Sequence, residues 1–254
     1  MSDWLVVEQE LVFWREAGRK PVLWWRDDDA ADATPAFDRL LDLQRAHDVP
    51  LSLAVVPASA TPALAARLAQ APGIDLLQHG YAHTNHAPPG DKKAELGPHR
   101  PAMFVLGELG TGRLALERLF GRRVLPVLVP PWNRIAPALV PTLPEIGYCG
   151  LSTFGPRRRA HPVAGLLQVN THIDLIDWKT RRFAGVAEVL AGLVQALAAS
   201  RTGTAEPVGM LSHHLAMDEA AWDFLQLFWE RLGSMPGVII SRANDLFASR
   251  EARV

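Results

Sequence analysis

Short apolar runs alternate with helical patterns seven or eight times along this chain, and no linker interrupts the series. The clearest runs cover residues 22–25, 51–56, 74–77 and 124–129. Runs this short and this continuous are typical of parallel strands that are buried on both faces. Strands that alternate with helices indicate β/α units, so we expect an α/β fold: a closed parallel barrel of seven or eight strands with an N-terminal covering helix.

Composition limits the domain count and the classes of partner. The 254 residues suit one α/β domain, and we expect a single domain over residues 1–254. The formal net charge of -1 provides no attraction for nucleic acid or for an anionic membrane surface. One cysteine, no signal-peptide pattern and no apolar stretch of about 18 residues lead us to expect a cytoplasmic protein.

Five of the apolar runs end in chemically active side chains. The clusters are Asp27-Asp28-Asp29, the histidine-rich segment 78–86, Pro130-Pro131-Trp132, the segment 174–178, and His213-His214. In a parallel barrel, the carboxyl ends of all strands share one face, and active sites are built there. The repeated placement therefore predicts one catalytic face.

His79 and His83 are four residues apart, which places both imidazoles on one side of a helical turn. Two histidines and one carboxylate can hold a divalent cation and leave positions open for water and substrate. A second carboxylate can then act as general base, and a histidine on the far side can protonate a leaving group.

The order of these motifs resembles the polysaccharide deacetylases of carbohydrate esterase family 4 over residues 22–215. The resemblance implies a distorted (β/α) barrel. Arg26-Asp27-Asp28-Asp29-Ala30 is similar to the first family motif. With Ala30 at the family's glycine, Asp28 is the catalytic base and Asp29 is a metal ligand, with Asp27 as a supporting or alternative member. A shift of one residue would move both roles.

The second family motif looks like His79-Gly80-Tyr81-Ala82-His83, with Gly80 in place of a small hydroxyl residue. The resemblance makes His79 and His83 metal ligands. We place Tyr81 on the substrate side of the site.

The third family motif resembles Val129-Pro130-Pro131-Trp132, but a valine stands where the family has an arginine that orients the base. Either Arg26 or Arg134 would have to substitute for it. The resemblance implies that the backbone amide at Trp132 binds the oxyanion, with Pro131 beside it.

The segment Asp174 to Trp178 is similar to the fourth motif, and Leu211-Ser212-His213 is similar to the fifth. The resemblance makes His213 the general acid, supported by Trp178 and by either Asp174 or Asp177.

Three other histidines are candidates. His86 lies outside the motif, as either a substrate-facing residue or part of an exposed loop. We expect His172 to line the pocket, and His214 is a spare beside the general acid.

The resemblance implies a metal-dependent hydrolase of C–N bonds other than peptide bonds, which removes an acyl group, acetyl first of all, from an amino sugar or related saccharide by metal-activated water. The expected partner is a small-molecule or oligosaccharide substrate. Zinc suits a site of two histidines and one carboxylate, and cobalt, nickel, manganese and iron remain open. One alternative is hydrolysis of a small non-sugar amide or cyclic imide. Another is a catalytically silent barrel that binds metal or carbohydrate.

Overall fold

The structure, a computed structural model, describes residues 4–203 and 205–248. The helices of this part are α1 (Leu5–Glu16), α2 (Pro35–His47), α3 (Pro62–Ala69), α4 (Ala102–Phe120), α5 (Val186–Thr202), α6 (Glu219–Ser234) and α7 (Ala243–Phe247). The strands are β1 (Val22–Ala30), β2 (Leu51–Val55), β3 (Ile74–His79), β4 (Val124–Val129), β5 (Gly150–Leu151), β6 (Leu167–Gln168), β7 (Ile173–Asp174), β8 (Ile176–Asp177), β9 (Arg182–Phe183), β10 (Val208–Ser212) and β11 (Ile239–Ile240).

The main sheet is parallel and curls into a half-barrel. Its strand order is β6-β5-β4-β3-β2-β1-β10-β7, with β11 added beside β1. The two edge strands, β6 and β7, are not paired with each other. An isolated parallel bridge between Phe154 and Thr171 spans the gap between them. The predicted parallel barrel is confirmed in its distorted form, because the ring of strands is not fully closed.

Helices cover the outer face of this sheet. The expected N-terminal helix is α1, which buries Val7, Leu11 and Trp14. The Trp4 ring, just before α1, lies 6.0 Å from the ring of Phe228 in α6. Within the described residues, no helix combines the length and the apolar character needed to cross a membrane.

The strand register brings distant parts of the sequence to one edge of the sheet. Asp27 in β1 lies opposite Ser212 in β10, and His79 in β3 lies opposite Val129 in β4. Leu211 lies opposite Asp174 on the other side of β10. Because neighbouring strands are parallel, the polar residues that end them lie side by side.

Candidate active site

The centre of this edge is a buried ion pair within β1. The Arg26 guanidinium donates to both oxygens of Asp28, at 2.8 and 3.0 Å, and neither residue is more than 1% exposed. Arg26 also donates to Ser152 Oγ at 2.6 Å and to Asn133 Oδ1 at 2.7 Å. Of the two arginines considered as substitutes for the absent motif arginine, Arg26 binds Asp28, whereas Arg134 donates to the Lys93 carbonyl.

Asp29 departs from regular strand geometry. In a strand, successive side chains point to opposite faces, so Asp28 and Asp29 would be expected to diverge. Asp29 instead has φ 71°, and the register of β1 against β2 shifts between Asp27 and Ala30. Two consecutive carboxylates consequently line the same groove.

Asp27 lies outside this groove. Its carboxylate accepts hydrogen bonds from Ser212 Oγ at 2.6 Å and from the backbone N–H of His214 at 3.0 Å, and it pairs with the His214 ring. The His214 ring packs edge-on against Phe37 at 5.7 Å. The interpretations of Asp27 as an alternative base and of His214 as a spare acid are corrected, because both side chains belong to a separate buried pair.

Asp29, His79 and His83 form a candidate metal centre. Their ligand atoms lie within 4.8 Å of one another, and Asp29 Oδ1 is 3.1 Å from His79 Nε2 and 3.2 Å from His83 Nε2. His79 Nδ1 must donate its proton to the carbonyl of Val129, 3.0 Å away, which makes Nε2 of the neutral ring an acceptor. Either a proton on Nε2 or a bound cation therefore lies between this lone pair and Asp29, and a set of two imidazoles and one carboxylate fits a divalent metal.

The pKa shifts at this centre have the same origin. Burial disfavours the charge on Asp29, yet the hydrogen bond from His79 and the charges of the surrounding histidines outweigh it and hold the pKa of Asp29 well below its usual range. Burial also opposes the charge on His79, but Asp28 and Asp29 overcome it and raise the pKa of His79. The centre thus favours positive charge beside Asp29, as a metal ligand set requires.

A tight loop, not a helical turn, brings the two histidines together. Gly80 follows β3 with φ 54°, and His83 itself has φ 54°. Glu95, which is only 1% exposed, accepts hydrogen bonds from the backbone N–H groups of Tyr81 at 3.0 Å and Ala82 at 2.7 Å. Glu95 is not among the residues predicted from the sequence, where its one signal is its position between the apolar Ala94 and Leu96 in a polar segment.

His213 lies at the carboxyl end of β10, beside Asp174 and Trp178. Asp174 Oδ2 accepts a hydrogen bond from Trp178 Nε1 at 2.8 Å, and Trp178 packs edge-on against the His213 ring at 4.6 Å. Asp174 Oδ1 is 3.7 Å from His213 Nδ1, which is too long for a hydrogen bond. Burial raises the pKa of Asp174, although the charge of His213 and the bonds from Ile176 N–H and Trp178 oppose this.

Asp177 is separate from that cluster. Its carboxylate accepts from Lys179 N–H and Thr180 Oγ1, both at 3.0 Å, in the turn between β8 and β9. Of the two carboxylates considered for supporting His213, the structure brings only Asp174 to it.

Three other sequence candidates lie apart from the groove. His172 Nδ1 accepts from Gly209 N–H at 3.2 Å and its Nε2 lies 3.5 Å from Glu206, so the expectation that His172 lines the pocket is wrong. His86 is half-buried and bonds through its backbone to Ala94, and it belongs neither to the metal cluster nor to the groove lining. Tyr81 contributes its backbone to the loop and is not a lining residue.

The groove has a volume of about 920 Å³ and connects the metal centre, Asp28 and His213. Trp132, Trp178 and Phe154 give it aromatic walls, and Pro131 is buried behind Trp132. Backbone strain concentrates here: five of the seven non-glycine residues with positive φ in the described part line the groove, namely Asp29, His83, Trp132, Asn133 and Arg181. Strain of this kind persists where the surrounding structure enforces it, and it is common at functional sites.

Comparison with known proteins gives structural likeness at low sequence identity. Neither a protein-family model nor a curated protein sequence matches the chain. A presumed polysaccharide deacetylase from Mycobacterium smegmatis is 17% identical, with a TM-score of 0.67 and coverage of 92% of this chain and 91% of that one. The peptidoglycan deacetylase PdaC from Bacillus subtilis is 14% identical, with a TM-score of 0.58 and coverage of 92% and 93%.

A family 4 acetyl xylan esterase from Clostridium thermocellum, in complex with a cobalt ion, is 15% identical, with a TM-score of 0.53 and coverage of 89% of this chain and 90% of that one. These likenesses establish that the chain has the fold of polysaccharide deacetylases and family 4 carbohydrate esterases.

Gly80 provides a test of the histidine loop. A Cβ at Gly80 would overlap the Glu95 carboxylate and lie 2.6 Å from Pro131 Cδ, whereas a Cβ at Gly90, also at positive φ, meets nothing within 4 Å. We expect Gly90→Ala to lower the free energy of unfolding by about 1 kcal/mol from backbone strain alone. Gly80→Ala should lose roughly 1–3 kcal/mol more and bind cobalt more weakly, measured by urea unfolding and cobalt absorption titration. Equal effects of the two substitutions would contradict the packing described for this loop.

The buried Arg26–Asp28 pair gives a second prediction. Arg26→Ala leaves a desolvated carboxylate without its cation, which costs about 3–5 kcal/mol. The matched control is Arg45→Ala, which removes an exposed pair with Asp42 and costs about 1 kcal/mol or less. Urea unfolding measures both, and adding Asp28→Asn to Arg26→Ala should recover part of the loss. A loss for Arg26→Ala no greater than that of the control would refute the pair's role.

Proposed function

We propose that the chain is a divergent member of the polysaccharide deacetylase family and hydrolyses the N-acyl group, acetyl first of all, of an amino sugar or related saccharide. The observation that carries the proposal is the shared groove: the Asp29, His79 and His83 cluster, the Arg26-bound Asp28 and the Asp174-supported His213 all line or underlie one cavity. These are the three parts that metal-assisted hydrolysis of an amide needs.

Asp29, His79 and His83 would hold one divalent cation. When bound, it would polarise the substrate carbonyl and increase the acidity of water, which is the chemistry that hydrolysis at neutral pH requires. Zinc is the first choice for two imidazoles and one carboxylate, and the cobalt in the Clostridium thermocellum esterase leaves other metals open.

Asp28 acts as the general base in this proposal. Arg26 binds both of its oxygens and so fixes the plane of the carboxylate, which remains at the groove beside Asp29. Asp28 accepts the proton of the attacking water as its oxygen bonds to the acyl carbon. The aromatic wall at Trp132 orients the substrate, and we assign the backbone N–H of Trp132 to the developing oxyanion, because the N–H of Asn133 already donates to the Pro130 carbonyl at 2.8 Å.

His213 acts as the general acid. Its Nδ1 faces Asp174, so we assign Nε2 to deliver a proton to the amine as the C–N bond breaks. Trp178 holds Asp174 by a hydrogen bond and limits rotation of the His213 ring by edge contact. The products are acetate and the free amino sugar.

The function is tested by acetate release from N-acetylglucosamine oligomers, compared with ring opening of a cyclic imide. We expect acetate release that is lost after dialysis against a chelator and regained with zinc or cobalt. Imide hydrolysis without acetate release would show that the substrates are small cyclic amides instead of N-acetyl sugars. Metal binding without turnover of either substrate would favour a silent binding barrel.

Substitution of the proposed base and acid should abolish turnover in chains that remain folded, and Asp28→Asn should also lower stability, because it leaves the Arg26 charge buried without its carboxylate. We expect Asp28→Asn and His213→Gln each to lower kcat by about 10²- to 10⁴-fold, as the removal of general base or acid does. The same chemical changes at exposed sites, Asp48→Asn and His161→Gln, are the controls. Acetate release gives the rates and circular dichroism checks the fold; full activity in either groove variant would overturn its role.

Substitutions of the two aspartates in the β7–β8 segment should have different effects on kcat. Asp174→Asn weakens the carboxylate contact to His213 and the bond from Trp178, so we expect kcat to fall at least tenfold with KM little changed. Asp177→Asn alters only the turn contacts to Lys179 and Thr180 and should have a much smaller effect on kcat. Steady-state kinetics measures both, and the reverse order would assign the supporting role to Asp177.

A further inference from the structure

Three cations line the groove, and none forms a salt bridge with a carboxylate of residues 4–203 and 205–248. They are Lys93, Arg134 and Arg181, and all three side chains are exposed. The proposed chemistry uses none of them, because Arg26 already provides the cation that binds Asp28.

The groove's carboxylates, in contrast, are engaged. Asp28 is paired with Arg26, and Asp29 faces His79 and His83. Asp174 accepts hydrogen bonds from Trp178 and from the backbone of Ile176. The remaining one, Asp177, accepts two hydrogen bonds in its own turn. The charged side chains of the groove lining that can still donate to a ligand are therefore Lys93, Arg134 and Arg181.

Lys93 and Arg134 lie at one corner of the groove, where hydrogen bonds hold two segments of the chain together. Arg134 Nη1 donates to the Lys93 carbonyl at 2.7 Å, which joins the turn after β4 to the segment 87–97. A parallel bridge between Leu96 and Ile135, and a 2.7 Å bond from Ala136 N–H to the Leu96 carbonyl, hold the same two segments together. These contacts fix the positions of the Cα atoms of Lys93 and Arg134.

This corner is next to the reaction centre. The Trp132 ring, two residues before Arg134, packs at a tilt against the ring of the candidate metal ligand His83, with 4.3 Å between the ring centroids. Lys93 and Arg134 line the same groove as Asp29 and His83, so a substrate with its acyl group at that centre can extend past Trp132 toward them. Guanidinium and ammonium groups recognise carboxylates and phosphates by charge-assisted hydrogen bonds.

We propose that Lys93 and Arg134 select an anionic substrate: an N-acylated amino sugar that carries a carboxylate or a phosphate. The inference rests on the proposed deacetylation and specifies its substrate class. Arg181, on the turn between β8 and β9, adds positive potential to the groove.

The test compares kcat/KM for three substrates of the full chain: neutral N-acetylglucosamine, its carboxylate-bearing 3-O-lactyl ether N-acetylmuramic acid, and N-acetylglucosamine 6-phosphate. We expect one or both acidic sugars to be preferred by roughly fivefold or more at low salt, with the preference falling as sodium chloride screens the exposed cations. The carboxylate and phosphate arms identify which anion is recognised.

Charge-removing variants locate the effect. Lys93→Ala combined with Arg134→Ala should bring the ratio of acidic to neutral kcat/KM close to one. Lys92→Ala removes an exposed neighbouring cation that does not line the groove, and it should keep the wild-type ratio. A wild-type enzyme without preference for either acid, or a double variant that retains the preference, overturns the inference while leaving the deacetylase proposal intact.

Direct binding separates the two hypotheses if no sugar is hydrolysed. Isothermal titration with muramic acid and with glucosamine 6-phosphate should give binding to the wild-type chain that the double variant loses. That result would support anion recognition by Lys93 and Arg134 even though the proposed deacetylation had failed. Equal binding by both proteins, or binding by neither, would refute anion recognition by Lys93 and Arg134.

Discussion

The Arg26–Asp28 ion pair is the interaction on which the arrangement of this site depends. A charge without a partner at this depth would cost several kcal/mol, so the pair is stable only with both members present and their remaining hydrogen bonds made. Arg26 completes its bonds with Ser152 and Asn133, which follow β5 and β4. The hydrogen bonds of Arg26 therefore hold the ends of β4 and β5 close to β1. These strand ends form the floor of the groove.

The fold and most of the site could be predicted because both follow from one geometric rule. Continuous apolar runs are typical of buried parallel strands, and parallel strands gather their carboxyl ends at one edge. His79, Asp28 and His213 end three different runs, so their meeting required no knowledge of loop conformation. The incomplete ring could not be predicted, because β5, β6 and β7 have only two residues each and leave little pattern in the sequence.

Other parts of the site depend on conformations that sequence patterns do not specify. The three consecutive aspartates look equivalent, and only the left-handed backbone at Asp29 and the pairing of Asp27 with His214 distinguish them. Glu95 was missed because its segment is polar, although tertiary contacts bury it under the histidine loop. Asp174 and Asp177 end two short strands, β7 and β8, and the sequence does not show that Asp174 alone lies beside His213.

The location of Arg26 on the same strand as Asp28 has a consequence for how this scaffold can diversify. Both oxygens of Asp28 are held by a residue two positions away, so their alignment is a local property of one strand. The turn after β4 contributes a single acceptor, Asn133 Oδ1, to that arrangement. Insertions or exchanges near Trp132 and Arg134 can therefore change the wall of the groove while Asp28, the proposed base, keeps its alignment.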